Sequence, residues 1–256
     1  GTVNRTRLVA AVIAVAVWAG ARAQNCPESV MPVDVSEADV VVGDGTAGSC
    51  TEQAMRDAIA QGGTIRCNCG PVPPVISVSS EFVVDKNTVL DGGGITLDGG
   101  GTTRLFRKPN VSATQDGSLS LTLQNMTLCN GMGDSTGGAV RNETFGTFSA
   151  INVDFINNHC AVTETPDWGG GAVYSLLQSE VLFAGCTFRN NSGANGGAVG
   201  GIGCSMTIYD CVFDSNWATG NGGGADAGPS GLGGIGGAVY IDNLNINGTH
   251  AYLAVC

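Results

Sequence analysis

The feature that most constrains this sequence is an internal repeat in its second half. Four segments carry apolar residues at offsets 0, 2, 5 and 7 from their first position. Residues two apart fit a strand whose alternate side chains point inward, whereas the step of three between the pairs requires a bend. The pattern predicts short strands joined at a corner in Leu121, Leu123, Met126 and Leu128, in Phe148, Ala150, Val153 and Phe155, in Val181, Phe183, Cys186 and Phe188, and in Met206, Ile208, Cys211 and Phe213.

Two short motifs recur in phase with these segments. A Gly-Ala-Val motif occurs four times, and a glycine there permits a sharp bend that a Cβ atom would obstruct. Its copies are Gly138 to Val140, Gly171 to Val173, Gly197 to Val199 and Gly237 to Val239. Three segments end in Phe followed three residues later by Asn: Phe155 and Asn158, Phe188 and Asn191, and Phe213 and Asn216.

The spacing of the repeats predicts the fold class. The units advance by 27, 33 and 25 residues, which is about the length of one three-sided coil of short strands. Such coils stack at roughly 4.8 Å. We therefore predict an all-β fold, a right-handed parallel β-helix that is a single-stranded solenoid, with like side chains in ladders inside and asparagine amides bonded from coil to coil at the corners.

The N-terminus has the pattern of a secretory signal peptide, which we place at residues 1–23. Arg5 and Arg7 precede an apolar run from Leu8 to Trp18, and a small-residue cleavage pattern ends at Ala23. The run is too short to span a bilayer, and no later stretch predicts a transmembrane helix. A formal net charge of −11 also argues against binding to nucleic acid.

The remainder divides into an N-terminal segment, 24–63, and the parallel β-helix, 64–256. Within the first we predict a helix at 52–61, capped by Ser49 or Thr51, that shields the open end of the coils. Because the sequence stops inside what reads as another unit, we expect the β-helix to be truncated at its C-terminus.

The repeated motifs resemble a known family. Gly-Gly-Ala-Val at 137–140, 170–173, 196–199 and 236–239, together with Phe-x-x-Asn, resembles the polymorphic outer-membrane-protein repeat, and more broadly the pectin-lyase-like β-helix superfamily. The resemblance covers roughly 120–256. It implies a secreted or cell-surface adhesin or structural module. The alternative within the same superfamily is a polysaccharide lyase, as for pectate, or a glycoside hydrolase.

The sequence offers little support for catalysis or for a cofactor. In the aligned coils the outward candidates are Asp154, Arg189 and Asp214, but the last two are better explained as a surface ion pair. Asp91 and Asp98 lie in glycine-rich turns; they could bind Ca²⁺, although forming the turns is the ordinary role of such residues. We predict no other metal or cofactor.

Two long connections on one side of the coils are the predicted binding elements. They run from His159 to Trp168 and from Trp217 to Ile235. Long loops on a rigid scaffold are common binding sites, so we expect an extracellular glycan or a surface protein to contact residues there. The candidates are Trp168, Trp217, Asp167 and Asp226. The alternative is that the two tryptophans pack over neighbouring coils.

Cysteines and glycosylation motifs follow the predicted signal. Cys50 could pair with Cys67 or Cys69, whereas Cys186 and Cys211, at the same inward position, are a disulfide or two buried thiols.

Five N-x-[ST] triplets are candidate glycosylation sites, although chance explains much of that count: Asn110, Asn125, Asn142, Asn190 and Asn247.

Overall fold

The computed structural model describes residues 29–109, 119–143, 145–161, 168–178, 180–220, 234–242 and 252–256. The predicted signal peptide lies outside these ranges. None of the helices within them is both long and apolar enough to cross a bilayer.

Strands dominate the described part of the chain. It contains one α-helix, α1 at Glu52–Gln61, and a short 3-10 helix at Ala47–Ser49. The strands are, in order, β1 Val40–Val42, β2 Gly63–Cys67, β3 Val75–Ser77, β4 Phe82–Val83, β5 Thr88–Asp91, β6 Thr96–Asp98, β7 Phe106–Lys108, β8 Ser120–Cys129, β9 Met132–Gly133, β10 Val140–Asn142, β11 Thr147–Ile156, β12 His159–Cys160, β13 Val173–Leu176, β14 Glu180–Ala184, β15 Thr187–Arg189, β16 Ser192–Gly193, β17 Val199–Ile202, β18 Met206–Tyr209, β19 Val212–Asp214, β20 Trp217–Ala218, β21 Val239–Asp242 and β22 Leu253–Val255.

The strands form three sheets, and the chain visits them in a repeating order. Within the described ranges, the large sheet has 12 strands along the path β1-β2-β5-β8-β11-β14-β18-β22, with β3, β6, β15 and β19 beside it; the middle sheet is β4-β7-β10-β13-β17-β21, and the small sheet is β9-β12-β16-β20. From β8 onward each repeat passes from the large sheet to the small sheet and then to the middle sheet. Every strand pair found is parallel, which confirms the predicted all-β class and its parallel strands.

The register places the repeated apolar residues in columns. Leu128 pairs with Phe155, Phe155 with Phe188, and Phe188 with Phe213. The rings stack nearly parallel, with centroids 4.7 Å apart in both Phe155–Phe188 and Phe188–Phe213. Adjacent repeats therefore bury like side chains against each other, as the periodicity predicted.

The step of three within each repeated segment corresponds to a corner, at which one residue adopts the left-handed backbone conformation. Asn125 (φ 54°), Asn152 (φ 53°), Gly185 (φ 60°) and Asp210 (φ 47°) follow one another in register at this point. Asparagine, aspartate and glycine tolerate this conformation best. The predicted bend is thus present, although β8 and β11 each continue through it as one strand rather than two.

The Gly-Gly pair of each motif has two separate tasks. The first glycine, such as Gly137, adopts φ 50° and makes the turn. The second, Gly138, lies so close to its neighbours that a Cβ atom would be 2.3 Å from the carbonyl oxygen of His159. The second glycine therefore lies at a bend that a Cβ atom would obstruct, as predicted, while the left-handed turn is made by the glycine before it.

Buried asparagines connect successive repeats at the second corner, as predicted. Asn158 Nδ2 donates to Asn191 Oδ1 at 3.1 Å, and Asn191 Nδ2 donates to Asn216 Oδ1 at 2.9 Å. Asn191 Nδ2 also donates to the carbonyl oxygen of Phe155. Because Asn158 and Asn191 are fully buried, these bonds satisfy groups that water does not reach.

The predicted helix is α1, with the predicted bounds. The Thr51 hydroxyl accepts a hydrogen bond from the Ala54 backbone N–H at the N-terminus. The helix buries Met55, Ala58 and Ile59, and it contacts β1 and β4, the end strands of the large and middle sheets. It therefore covers the end of the stack at which both sheets begin.

Candidate functional site

An open polar groove of about 540 Å³ lies beside the first strand of the small sheet. Its lining comes from four successive passes of the chain. The residues are Ser79, Ser80, Glu81, Thr102, Thr103, Arg104, Met132, Gly133, Asp134 and Ala161. Asp134 and Ala161 directly follow β9 and β12, so the groove lies where the chain leaves the small sheet for the middle sheet.

Arg104 organises the charges of this groove. Its guanidinium forms ion pairs with Glu81, at 3.0 Å from Nη1 to Oε2, and with Asp134. Its Nε also donates to the Gly137 carbonyl oxygen at 2.9 Å. These contacts hold the guanidinium in one orientation, while the Asp134 side chain keeps 72% of its exposure and reaches solvent.

The environment of Asp134 keeps it ionised. Burial alone would raise its pKa, but the hydrogen bond and charge of Arg104, with the charge of Arg141, outweigh that and lower the pKa. A carboxylate with a lowered pKa accepts hydrogen bonds at neutral pH but is poorly suited to donate a proton as a general acid. The groove is therefore built for hydrogen bonding and ion pairing.

The ion pairs extend over the outer face of the middle sheet. Arg107 Nε lies 2.6 Å from Glu81 Oε1, and Arg141 Nε lies 2.9 Å from Glu143 Oε1. Arg107 and Arg141 are partners in the register of β7 and β10. The groove thus borders a continuous patch of alternating charges.

The groove residues are not among the sites predicted from the sequence. Glu81, Arg104 and Asp134 share no motif and lie more than 20 residues apart along the chain, so only the stacking brings them together. One sequence signal pointed to the neighbouring charged patch. Phe106-Arg107 and Val140-Arg141 are each an apolar residue followed by arginine, and the two pairs are aligned in the register of β7 and β10.

The predicted binding tryptophans lie on the same side, with one correction. Trp168 is 38% exposed and Trp217 is 48% exposed, so each indole is partly covered and partly open to solvent. Trp217 was predicted to lie in a loop, but it is the first residue of β20 and pairs with Ser192. The two acids predicted beside them, Asp167 and Asp226, lie outside the described residues.

The weak catalytic candidates do not assemble into an enclosed site. Arg189 and Asp214 form the expected surface ion pair, at 3.0 Å and with about half of each side chain exposed. Asp154 pairs in register with Thr187 on the exposed face of the large sheet. None of the three lines the groove.

Asp91 and Asp98 form turns. Each accepts the backbone N–H two residues ahead, at 2.8 Å. Each also accepts an asparagine amide from the next repeat, Asn125 to Asp91 and Asn130 to Asp98. Within the described part of the chain no group of three or more metal-ligating side chains is found, at these residues or elsewhere.

The cysteine predictions are resolved in favour of one pair. Cys50 is bonded to Cys69, whereas Cys67 is a buried free thiol. Cys186 and Cys211, for which two outcomes were left open, are both free thiols.

One glycosylation candidate is excluded by burial. Asn142 is fully buried and its amide donates to Ser175 at 3.1 Å, so that prediction was wrong for the folded chain. The Asn125 amide is held by Asp91, whereas Asn190 is a partly exposed corner residue. Asn110 and Asn247 lie outside the described residues.

In comparisons with known proteins, the chain matches no family model, no curated protein and no solved structure.

Proposed function

We propose that this chain is a secreted right-handed parallel β-helix of the pectin-lyase-like type that serves as an adhesive or structural module by binding an extracellular glycan. The repeated path through three parallel sheets supports the β-helix. The stacked phenylalanines and the amide ladders are the contacts that such a coil requires. The Gly-Gly-Ala-Val and Phe-x-x-Asn motifs support the family type.

Secretion rests on two observations. The signal-like segment at 1–23 has the charge, apolar run and cleavage pattern of an exported protein. The Cys50–Cys69 disulfide is typical of an oxidising compartment. The acidic charge and the exposed ion pairs favour a chain that stays soluble outside the cell.

The observation that carries the binding proposal is the position of the groove. We call the segments that lead from the small sheet to the middle sheet the connection face. The groove, Trp168 and the chain that follows Trp217 all belong to this face, and Ala161 both lines the groove and begins the first long connection. Long connections concentrated on one face of a rigid stack are suited to binding.

The chemistry of the connection face suits a sugar. Arg104, Glu81 and Asp134 offer fixed donors and acceptors to sugar hydroxyls, and the neighbouring serine and threonine hydroxyls offer both. Trp168 on this face, and Trp217 on the neighbouring strand β20, are exposed and provide flat apolar surfaces against which a sugar ring can pack. A glycan lying along the stack would contact both kinds of group.

A glycan array followed by calorimetry tests this proposal. Asp134→Asn and the double variant Trp168→Ala with Trp217→Ala should each weaken binding of the glycan that the wild type selects, by about tenfold or more. Asp214→Asn is the matched control, because it also removes an exposed carboxylate paired with arginine but lies on the large sheet. Equal binding by all variants, or no glycan bound by the wild type, would contradict the proposal.

A further inference from the structure

A chain of hydrogen bonds on the outer face of the small sheet ends at a serine hydroxyl. His159 Nδ1 lies 2.6 Å from Ser192 Oγ, and His159 Nε2 lies 2.9 Å from Asn157 Oδ1. His159 and Ser192 are partners in the register of β12 and β16. A hydroxyl, an imidazole and an orienting side-chain oxygen are therefore connected in series.

The direction of these hydrogen bonds is fixed from the far end. The Asp98 carboxylate is a pure acceptor when ionised, so Asn130 must present its Nδ2 to it, at 2.9 Å. That leaves Asn130 Oδ1 to accept from Asn157 Nδ2, at 2.6 Å. Asn157 consequently turns its Oδ1 toward the histidine.

This direction selects the tautomer of His159. Because Asn157 Oδ1 can only accept, the ring proton must be on Nε2. The lone pair of Nδ1 then faces Ser192, and the serine hydroxyl donates to it. Burial lowers the pKa of His159, which keeps the ring neutral and able to accept a proton near neutral pH.

We propose that Ser192 and His159 are the nucleophile and general base of an acyl-transfer site that hydrolyses esters of small acyl groups, with Asn157 as a positioning residue. A nucleophile bonded to a base that a third group orients is the arrangement shared by serine hydrolases on unrelated folds. This activity goes beyond the proposed glycan binding, and its reacting and positioning residues are different ones.

The surroundings of Ser192 define the substrate class. Only 8% of Ser192 is exposed, which restricts the proposed substrate to a small acyl group such as acetyl. Trp217, its register partner on β20, is 48% exposed and offers a flat surface to the alcohol part of the ester. The favoured substrate is therefore a short-chain ester of an alcohol that can pack against an indole ring.

The reaction balances without a cofactor. Ser192 Oγ bonds to the carbonyl carbon while its proton passes to His159 Nδ1, and the carbon–oxygen bond to the alcohol breaks as that alcohol takes the proton. Water then attacks the acyl-serine with His159 again as base. The acid is released and the serine hydroxyl is restored.

Covalent labelling tests the nucleophile directly. The wild type is incubated with p-nitrophenyl acetate or a fluorophosphonate, and the adduct is located by peptide mass spectrometry. We expect an adduct on Ser192 that is absent in Ser192→Ala and forms at least about 100-fold more slowly in His159→Gln. Ser149→Ala, a partly exposed outward serine on β11, is the control and should label like the wild type.

Nitrogen NMR of labelled histidine tests the positioning role of Asn157 without requiring turnover. The wild type should show His159 neutral with its proton on Nε2, and Asn157→Ala should mix the tautomers and slow labelling. A wild type without an adduct on Ser192, an unchanged labelling rate in His159→Gln, or a proton on Nδ1 would each overturn the proposal. Circular dichroism of every variant distinguishes these results from misfolding.

Discussion

The N-terminal region, residues 63–108, and the repeat region, residues 119–216, use the same register but different corner chemistry. In the N-terminal region, the corner carboxylates of Asp91 and Asp98 accept backbone and side-chain N–H groups. In the repeat region, corner amides both donate and accept, as in the pair Asn157 to Asn130. A carboxylate can therefore begin a ladder of hydrogen bonds, whereas an amide can continue it into the next repeat.

This difference fixes the direction of the amide ladders. Asn152 donates to Asn125, which in turn donates to Asp91, so one ladder ends on a carboxylate of the N-terminal region. The second ladder ends in the same way on Asp98. The N-terminal region thus provides the acceptors that set the direction of the amide bonds in the repeat region.

The largest expected effect on stability is the loss of a stacked phenylalanine from the repeat region, which we compare with the loss of one from the N-terminal region. Phe188 lies between Phe155 and Phe213 and also contacts Phe183, so Phe188→Ala should lower the free energy of unfolding by about 4 to 5 kcal/mol. Phe82→Ala, in the N-terminal region, should cost about 3 kcal/mol. Urea unfolding of both variants measures the difference. Equal losses would show that the stack adds nothing beyond burial.

A disulfide ties the N-terminal region to the segment that precedes it, whereas the cysteines described in the repeat region are free thiols. The Cys50–Cys69 disulfide, with a sequence separation of 19, ties the start of α1 to the chain after β2. Replacing both cysteines by serine should lower the free energy of unfolding by about 3 kcal/mol, because the unfolded chain loses a closed loop. Cys129→Ser, which removes a partly exposed free thiol, is the control and should change stability much less. Similar losses would contradict a role for the bond.

The asparagine ladder should be more sensitive than the aspartate turns. Asn191→Leu leaves the Phe155 carbonyl and the Asn158 amide without their partner in a buried place, so it should cost about 2 to 3 kcal/mol. Asp98→Ala opens a corner that solvent reaches, so about 1 kcal/mol or less is expected. Thermal and urea unfolding measure both, and the reverse order would refute the distinction between the two corners.

The two regions also meet at a buried lysine. Lys108 Nζ donates to the carbonyl oxygens of Leu119 and Phe145 and to Gln178 Oε1. Burial lowers its pKa from 10.5 to about 8. Between these values Lys108 holds more protons in the unfolded chain than in the folded one, so its own contribution to the free energy of unfolding should rise with pH across this window.

The expected gain is on the order of 1 to 2 kcal/mol between pH 8 and pH 10. Buried thiols such as Cys67 and Cys160 have raised pKa values and lower the stability over the same range, so the gain is measured by urea unfolding as the wild-type profile minus that of Lys108→Met. Lys86→Met, an exposed lysine of the N-terminal region, is the control and should keep it. If Lys108→Met showed the same pH dependence of the free energy of unfolding as the wild type, Lys108 would not be its cause.

Sequence alone predicted the repeat region better than the N-terminal region. The phenylalanine and asparagine columns recur because each repeat must present the same side chain to its neighbour, so the pattern is visible along the chain. The groove is different, since Arg104 meets Glu81 and Asp134 only after stacking. His159 and Ser192 directly follow the repeated Asn158 and Asn191, so the repeat aligns them, but their unlike side chains form no motif that would mark their contact.

The central claim is that consecutive repeats stack in parallel and in register. Nuclear Overhauser spectra of protein with labelled phenylalanine rings test it most directly. We predict strong contacts between the rings of Phe155 and Phe188 and between those of Phe188 and Phe213, with none between Phe155 and Phe213. Missing neighbour contacts, or a strong contact between the first and third rings, would contradict the account.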